Sequence, residues 1–129
     1  MAAARDTTAA NIKPLDGAVV RRFTAGATIA AGELVSMMAD GYVDPTNTTA
    51  LTGSCLVGVA LAAAVAGERV DVVTSGPVQC LTGATVGAVI YGTDTAGEPG
   101  ETAGTKSTIA GFAESATVLF VRPERITLT

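Results

Sequence analysis

The chain repeats itself. Gly26-Ala27-Thr28-Ile29 followed by Gly32-Glu33-Leu34-Val35 returns as Gly83-Ala84-Thr85-Val86 followed by Gly87-Ala88-Val89-Ile90. Each copy leads to a second apolar stretch centred on glycine, Val57-Gly58-Val59-Ala60-Leu61 in the first and Ile109-Ala110-Gly111-Phe112-Ala113 in the second. Gly26 and Gly83 stand 57 residues apart and Gly58 and Gly111 stand 53 apart, so one unit is used twice with a small deletion in the later copy. Short β-branched runs punctuated by glycine are strand signals. The expected fold is all-β, a small barrel or sandwich built from two similar β-units, with a flexible N-terminal arm.

At 129 residues the chain is one domain with one core. Aromatic residues make up 4% of it and Trp is absent, so the core must be assembled from Ala, Val and other small or β-branched side chains. Each of these buries little area, and association with other chains is expected to supply part of what the core lacks.

Residues 1–15 are rich in Ala and Thr with isolated charges at Arg5, Asp6 and Lys13, and they read as a flexible arm ending at Pro14-Leu15. Residues 16–129 form the single β domain. Strands are expected over Gly17 to Thr24, Glu33 to Met38, Tyr42 to Pro45, Cys55 to Ala63, Glu68 to Thr74, Val78 to Leu81, Ala88 to Tyr91, Thr108 to Ala113 and Thr117 to Val121, with Ile126 to Leu128 as a last edge. Phe23 is the expected core anchor of the first strand. Asp16-Gly17, Asp40-Gly41 and Ala66-Gly67 are turn signals. Thr46 to Ser54 reads as a surface loop, Thr93 to Ser107 as an excursion without regular structure, and Ser75-Gly76-Pro77 and Pro123 as strand stops.

Several chemistries are disfavoured by what the residues offer. The chain contains no His, which removes the commonest general base and transition-metal ligand. Cys55 and Cys80 have no basic neighbour in sequence to lower a thiol pKa, and both are expected as buried free thiols rather than as a disulfide or a nucleophile. Gly100 to Ser107 imitates a phosphate loop, but Thr105 separates Gly104 from Lys106 and a strand follows where a helix is required. Lys106 also lacks the context of a lipoyl or biotin attachment site, and Asn47-Thr48-Thr49 reads as loop composition rather than a glycosylation site. The carboxylates are scattered among turns without calcium-loop spacing. An enzyme is therefore not expected, and neither is a metal or other cofactor.

A net charge of −4 with no basic cluster beyond Arg21-Arg22 argues against a nucleic-acid partner. Those two arginines, with Arg122 and Arg125, are expected to keep a strand edge soluble, the alternative being pairing with carboxylates of a neighbouring subunit or partner. No apolar run approaches the roughly 20 residues that a membrane span requires, and the N-terminus lacks a signal-type apolar stretch. Synthesis in a cytoplasm is the expectation.

Taken in order, Ala25 to Val35, Val57 to Leu61, Ala66-Gly67-Glu68-Arg69-Val70-Asp71-Val72, Ser75-Gly76-Pro77-Val78 and Gly83 to Tyr91 resemble the capsid cement, or head decoration, proteins of tailed bacteriophages. The similarity covers about residues 17 to 122 and lies in the order of simple Gly, Ala and Val motifs. The resemblance implies a virion component on the capsid exterior, assembled in the bacterial host cytoplasm. It implies the major capsid protein as partner, bridging of shell subunits as the role, and a homo-oligomer with a trimer favoured. It also implies an arm that orders on the shell, with Arg5, Asn11, Ile12, Lys13, Pro14 and Leu15 as candidate capsid contacts. The competing reading is a surface module that binds a sugar or a receptor, for which Tyr42 and Tyr91 are the candidate stacking rings.

Overall fold

Alternating apolar residues between glycine turns become strands along most of the chain. A computed structural model of the protein describes residues 3–47, 55–105 and 107–127. The strands are β1 (Ala4–Arg5), β2 (Lys13–Pro14), β3 (Val19–Thr24), β4 (Leu34–Met37), β5 (Val43–Pro45), β6 (Cys55–Ala60), β7 (Arg69–Gln79), β8 (Leu81–Thr82), β9 (Val89–Gly92), β10 (Pro99–Gly100), β11 (Ser107–Ala113) and β12 (Val118–Thr127). A single 3₁₀ turn at Ala9–Asn11 is the helical element among the described residues. The main sheet runs in the order β10-β9-β11-β12-β7-β6-β4-β5, with β2 and β3 also paired to β7 and with β1 paired to β8. The fold is all-β and strongly curled, and a parallel bridge from Ala25 to Val43 draws the end of β3 toward β5.

The sequence repeat is a repeat of register. In the first unit Leu34 pairs with Val59, Val35 with Gly58 and Ser36 with Leu56. In the second, Val89 pairs with Phe112, Ile90 with Gly111 and Tyr91 with Ile109, so both copies skip one residue at the same place. The next ladder also matches, with Val59 opposite Val73 and Phe112 opposite Phe120. The outer strands agree as well, since Arg21 lies opposite Val72 as Val78 lies opposite Leu119. Each unit therefore has five strands: β3, β7, β6, β4 and β5, then the latter part of β7 with β12, β11, β9 and β10. Strand β7 closes the first unit and opens the second.

The skipped residue is a β-bulge, and a glycine stands beside it in both copies. A β-carbon on Gly58 would collide with the Val73 carbonyl, and one on Gly111 with the Phe120 carbonyl. The small side chain is thus the condition for two strands to approach this closely at the bulge.

The core divides in two. Ala25, Ile29, Val35, Val43, Ala60, Ala64, Val70 and Val72 fill the first unit, with Phe23 packed partly buried against them. A larger cluster joins the second unit's Leu81, Ile90, Ala113 and Leu119 to Leu34, Val59 and Val73 of the first. As the composition requires, small and β-branched side chains predominate.

The structure departs from the sequence expectations in four places. Ser75-Gly76-Pro77 does not stop a strand, because Gly76 takes φ 98° and kinks β7 without ending it, and Pro77 keeps its place opposite Phe120. Pro123 does not stop β12 either. The register moves from Gly111–Val121 to Ile109–Glu124, so Pro123 falls where the ladder skips and its missing N–H is not required. The glycine-rich excursion contains the short strand β10, whose Pro99 and Gly100 pair with Gly92 and Tyr91.

The fourth departure concerns the arm. Residues 3–15, expected to be free, lie on the domain. Ala3 and Ile12 are buried in the larger cluster, β1 pairs with Leu81–Thr82, and β2 pairs with Gln79–Val78. The physical reason is apolar burial, since Ala3 and Ile12 join a cluster built from both units. Most of the loop over residues 46–54, the Cys55 side chain, and Lys106 with its phosphate-loop and carrier readings lie outside the described residues.

Candidate interaction surface

The six residues named as contact candidates do not share one environment. Arg5 is fixed by an ion pair from Nε to Glu98 Oε2 at 2.7 Å and donates from Nη1 to the Ala31 carbonyl at 3.2 Å. Ile12 is buried. Asn11 is exposed; its Nδ2 donates to Asp6 Oδ2 at 3.1 Å and its carbonyl accepts from Gln79 Nε2 at 3.1 Å. Lys13 and Pro14 are exposed, while Leu15 is half-buried and donates its N–H to the Pro77 carbonyl. The open surface is thus Asn11, Lys13 and Pro14. Arg5 and Ile12 act as staples that hold the segment down.

Those staples are small. Two ladders of two residues each, the Arg5 ion pair, the buried Ala3 and Ile12, and single hydrogen bonds at Asn11 and Leu15 hold residues 3–15 in place. Asp6 organises the stretch between them by accepting from the Thr8 N–H at 2.9 Å and donating its own N–H to the Cys80 carbonyl at 2.9 Å.

Strand β3 is a second exposed element. Val19, Val20, Arg21 and Arg22 are all exposed, and among the described strands this one pairs with β7 alone. Arg22 Nε donates to Asp71 Oδ1 at 3.0 Å, which raises its pKa, and the Arg21 guanidinium lies 5.3 Å from the centre of the Phe23 ring. Both arginines are engaged within the chain, and their solvent-facing charge also guards the edge.

Elsewhere the groups with chemical potential are shielded. Cys80 is buried and free, and desolvation followed by the charge of Asp6 pushes its thiol up to about 12, the opposite of an activated nucleophile. A cleft of about 330 Å³ is lined by Ala27, Ser36, Met38, Asp44, Pro45, Asn47 and Ala96. Asp44 Oδ1 is buried there without a hydrogen-bond partner among the described residues, and the Asp44 pKa is raised by desolvation and then by Asp40. Tyr42 is exposed but Tyr91 is half-buried within the β9 ladders, so the two rings expected as a stacking platform are not equivalent.

The sequence reading missed the outward side of the second unit, where Val89 and Phe112 are exposed. The signal was available in the repeat itself, since Val89 stands where Leu34 does and Phe112 where Val59 does. No protein-family model matches the sequence, and no curated protein matches it significantly.

Proposed function

We propose that the protein is a non-catalytic virion component: a capsid decoration protein that sits on the outside of an expanded phage head and bridges major capsid subunits. It would act without a cofactor and as a homo-oligomer, with a trimer favoured. The observation that carries this reading is the lightly stapled N-terminal segment. Residues 3–15 run over the domain around the 3₁₀ turn at Ala9–Asn11, hold their place through two short ladders, the Arg5 ion pair, a few hydrogen bonds and the buried Ala3 and Ile12, and expose Asn11, Lys13 and Pro14. Such a segment can exchange its pairing with the domain for pairing with an exposed strand edge on another protein, a contact made largely by the main chain.

The exchange costs the staples and the ordering of the segment, and many copies on one particle offset that cost by acting together. The test is sedimentation of the protein with empty expanded capsids, alongside a variant lacking residues 2–15. Co-sedimentation of the full chain with loss in the truncated one supports the reading, and failure to bind at any salt concentration would overturn it. For the sugar-binding alternative the exposed Tyr42 offers one ring, and a glycan screen separates the two.

A further inference from the structure

The two units differ in what covers the outward side of their sheets. Over β4, β6 and β7 of the first, that side carries Leu34, Ser36, Leu56, Val59 and Val73, all five buried, and it opens to solvent at Val20 of the outer strand β3, opposite Val73. The four apolar ones of the five belong to the cluster that includes Ile12 and side chains of the second unit. By the shared register their counterparts are Val89, Tyr91, Ile109, Phe112 and Phe120. None of these is buried, and Val89 and Phe112 are 39% and 37% exposed where Leu34 and Val59 are at 0%.

Exposure alone does not explain why this side stays apolar. A solvent-facing sheet side is ordinarily polar, and this chain follows that rule at another matched pair: the buried Val78 of the second unit is replaced by the exposed Arg21 in the first. On the outward side no such switch occurs. The exposed copy is the more aromatic one, with the Phe112 and Phe120 rings stacked at 5.3 Å and 19°. Aromatic enrichment on an exposed sheet is the composition of an interface core.

We infer that this outward side of the second unit is a docking surface for a second copy of the same chain. The rim argues for self-recognition. Glu114 and Arg122 are both exposed, each two residues beyond a ring, Glu114 toward the β11–β12 turn and Arg122 away from it. The strands are antiparallel, so the two charges flank the rings at opposite ends. Grouped about a shared axis, in a pair or in the favoured trimer, each copy's Glu114 can face a neighbouring copy's Arg122. Two chains of net charge −4 repel at long range, and a rim carrying one charge of each sign offsets part of that repulsion where Glu114 and Arg122 of neighbouring copies meet. This extends the homo-oligomer part of the proposed function and is tested without any shell.

The experiment is sedimentation velocity of the full chain across a concentration series, with circular dichroism as the check of folding. The wild type is expected to sediment as more than one chain. Phe112→Ser weakens association about tenfold or more, Glu114→Arg and Arg122→Glu each weaken it, and the two charge reversals together restore it. A wild type that remains a single chain at its highest soluble concentration overturns the inference. So does association that persists unchanged in Phe112→Ser, or that fails to return in the double reversal. The exposed charge variants keep the test decisive if Phe112→Ser misfolds, and capsid binding by a protein that stays monomeric would assign the surface to the shell instead.

Discussion

Gly111 lies so close to Phe120 across the β11–β12 ladder that a β-carbon on the glycine would strike the phenylalanine carbonyl. The obstacle is main chain, so it cannot move aside as a flexible side chain would. Gly111→Ala should therefore destabilise the fold by about 2 kcal/mol or more, and Gly58→Ala likewise through the Val73 carbonyl. Urea unfolding checks this through a lower midpoint at unchanged slope. By contrast Gly67→Ala meets no steric obstacle, and only its φ of 92° costs anything.

Ile12 separates a docked segment from a free one. Ile12→Ala should cost about 2–4 kcal/mol of unfolding free energy, because a buried isoleucine leaves a cavity. An arm detached from the domain would show no change.

The two ion pairs should behave differently. Arg22 and Asp71 are largely exposed, and Asp71→Asn should leave the thermal midpoint unchanged. Arg5 is mostly shielded and tethers β1 to Glu98, so Arg5→Met should speed amide exchange at Thr82, which pairs with Ala4, without global unfolding.

Asp44 makes stability depend on pH in an unusual direction for a carboxylate. Its folded pKa is raised, so the native state holds its proton over a range where the unfolded chain has released it. The contribution is neutral below the unfolded value of about 4 and becomes a growing penalty as pH rises from there through the folded value. Asp44→Asn should raise the unfolding midpoint at neutral pH and leave it close to that of the wild type at pH 3, read from parallel denaturant titrations.

Cys80 should be silent toward a thiol reagent at pH 8 in the folded protein and react fully in denaturant. The assay is best run on a Cys55→Ser background so that one thiol is counted. Fast reaction in the native state would contradict the burial that raises its pKa.

Much of the architecture was legible in the sequence because the repeat carries its own register. Matching Gly58 to Gly111 identifies the same bulge in both ladders, and Asp40-Gly41 announces the β4–β5 hairpin. Pro77 and Pro123 misled because a proline ends a strand only where its N–H is needed, and pairing partners distant in sequence decide that. The N-terminal segment misled for a related reason. The local order of Thr8-Ala9-Ala10-Asn11-Ile12 is one 3₁₀ turn tied to Asp6, which does not announce docking, and the cluster that receives Ile12 is built by residues distant in sequence. The outward residues Val89 and Phe112 looked like ordinary core positions, since a strand pattern shows which residues share a side and not whether that side is covered.

The path of β7 through both units has a mechanical consequence. Neighbours attached to the two halves of this molecule would pull on one unbroken covalent backbone, flanked by β3 along one stretch and β12 along the other. Tension along that strand loads those ladders in shear, with their hydrogen bonds sharing the strain together. The halves are joined as two spans resting on a common beam, and wrenching them apart would mean drawing the beam itself out of the sheet.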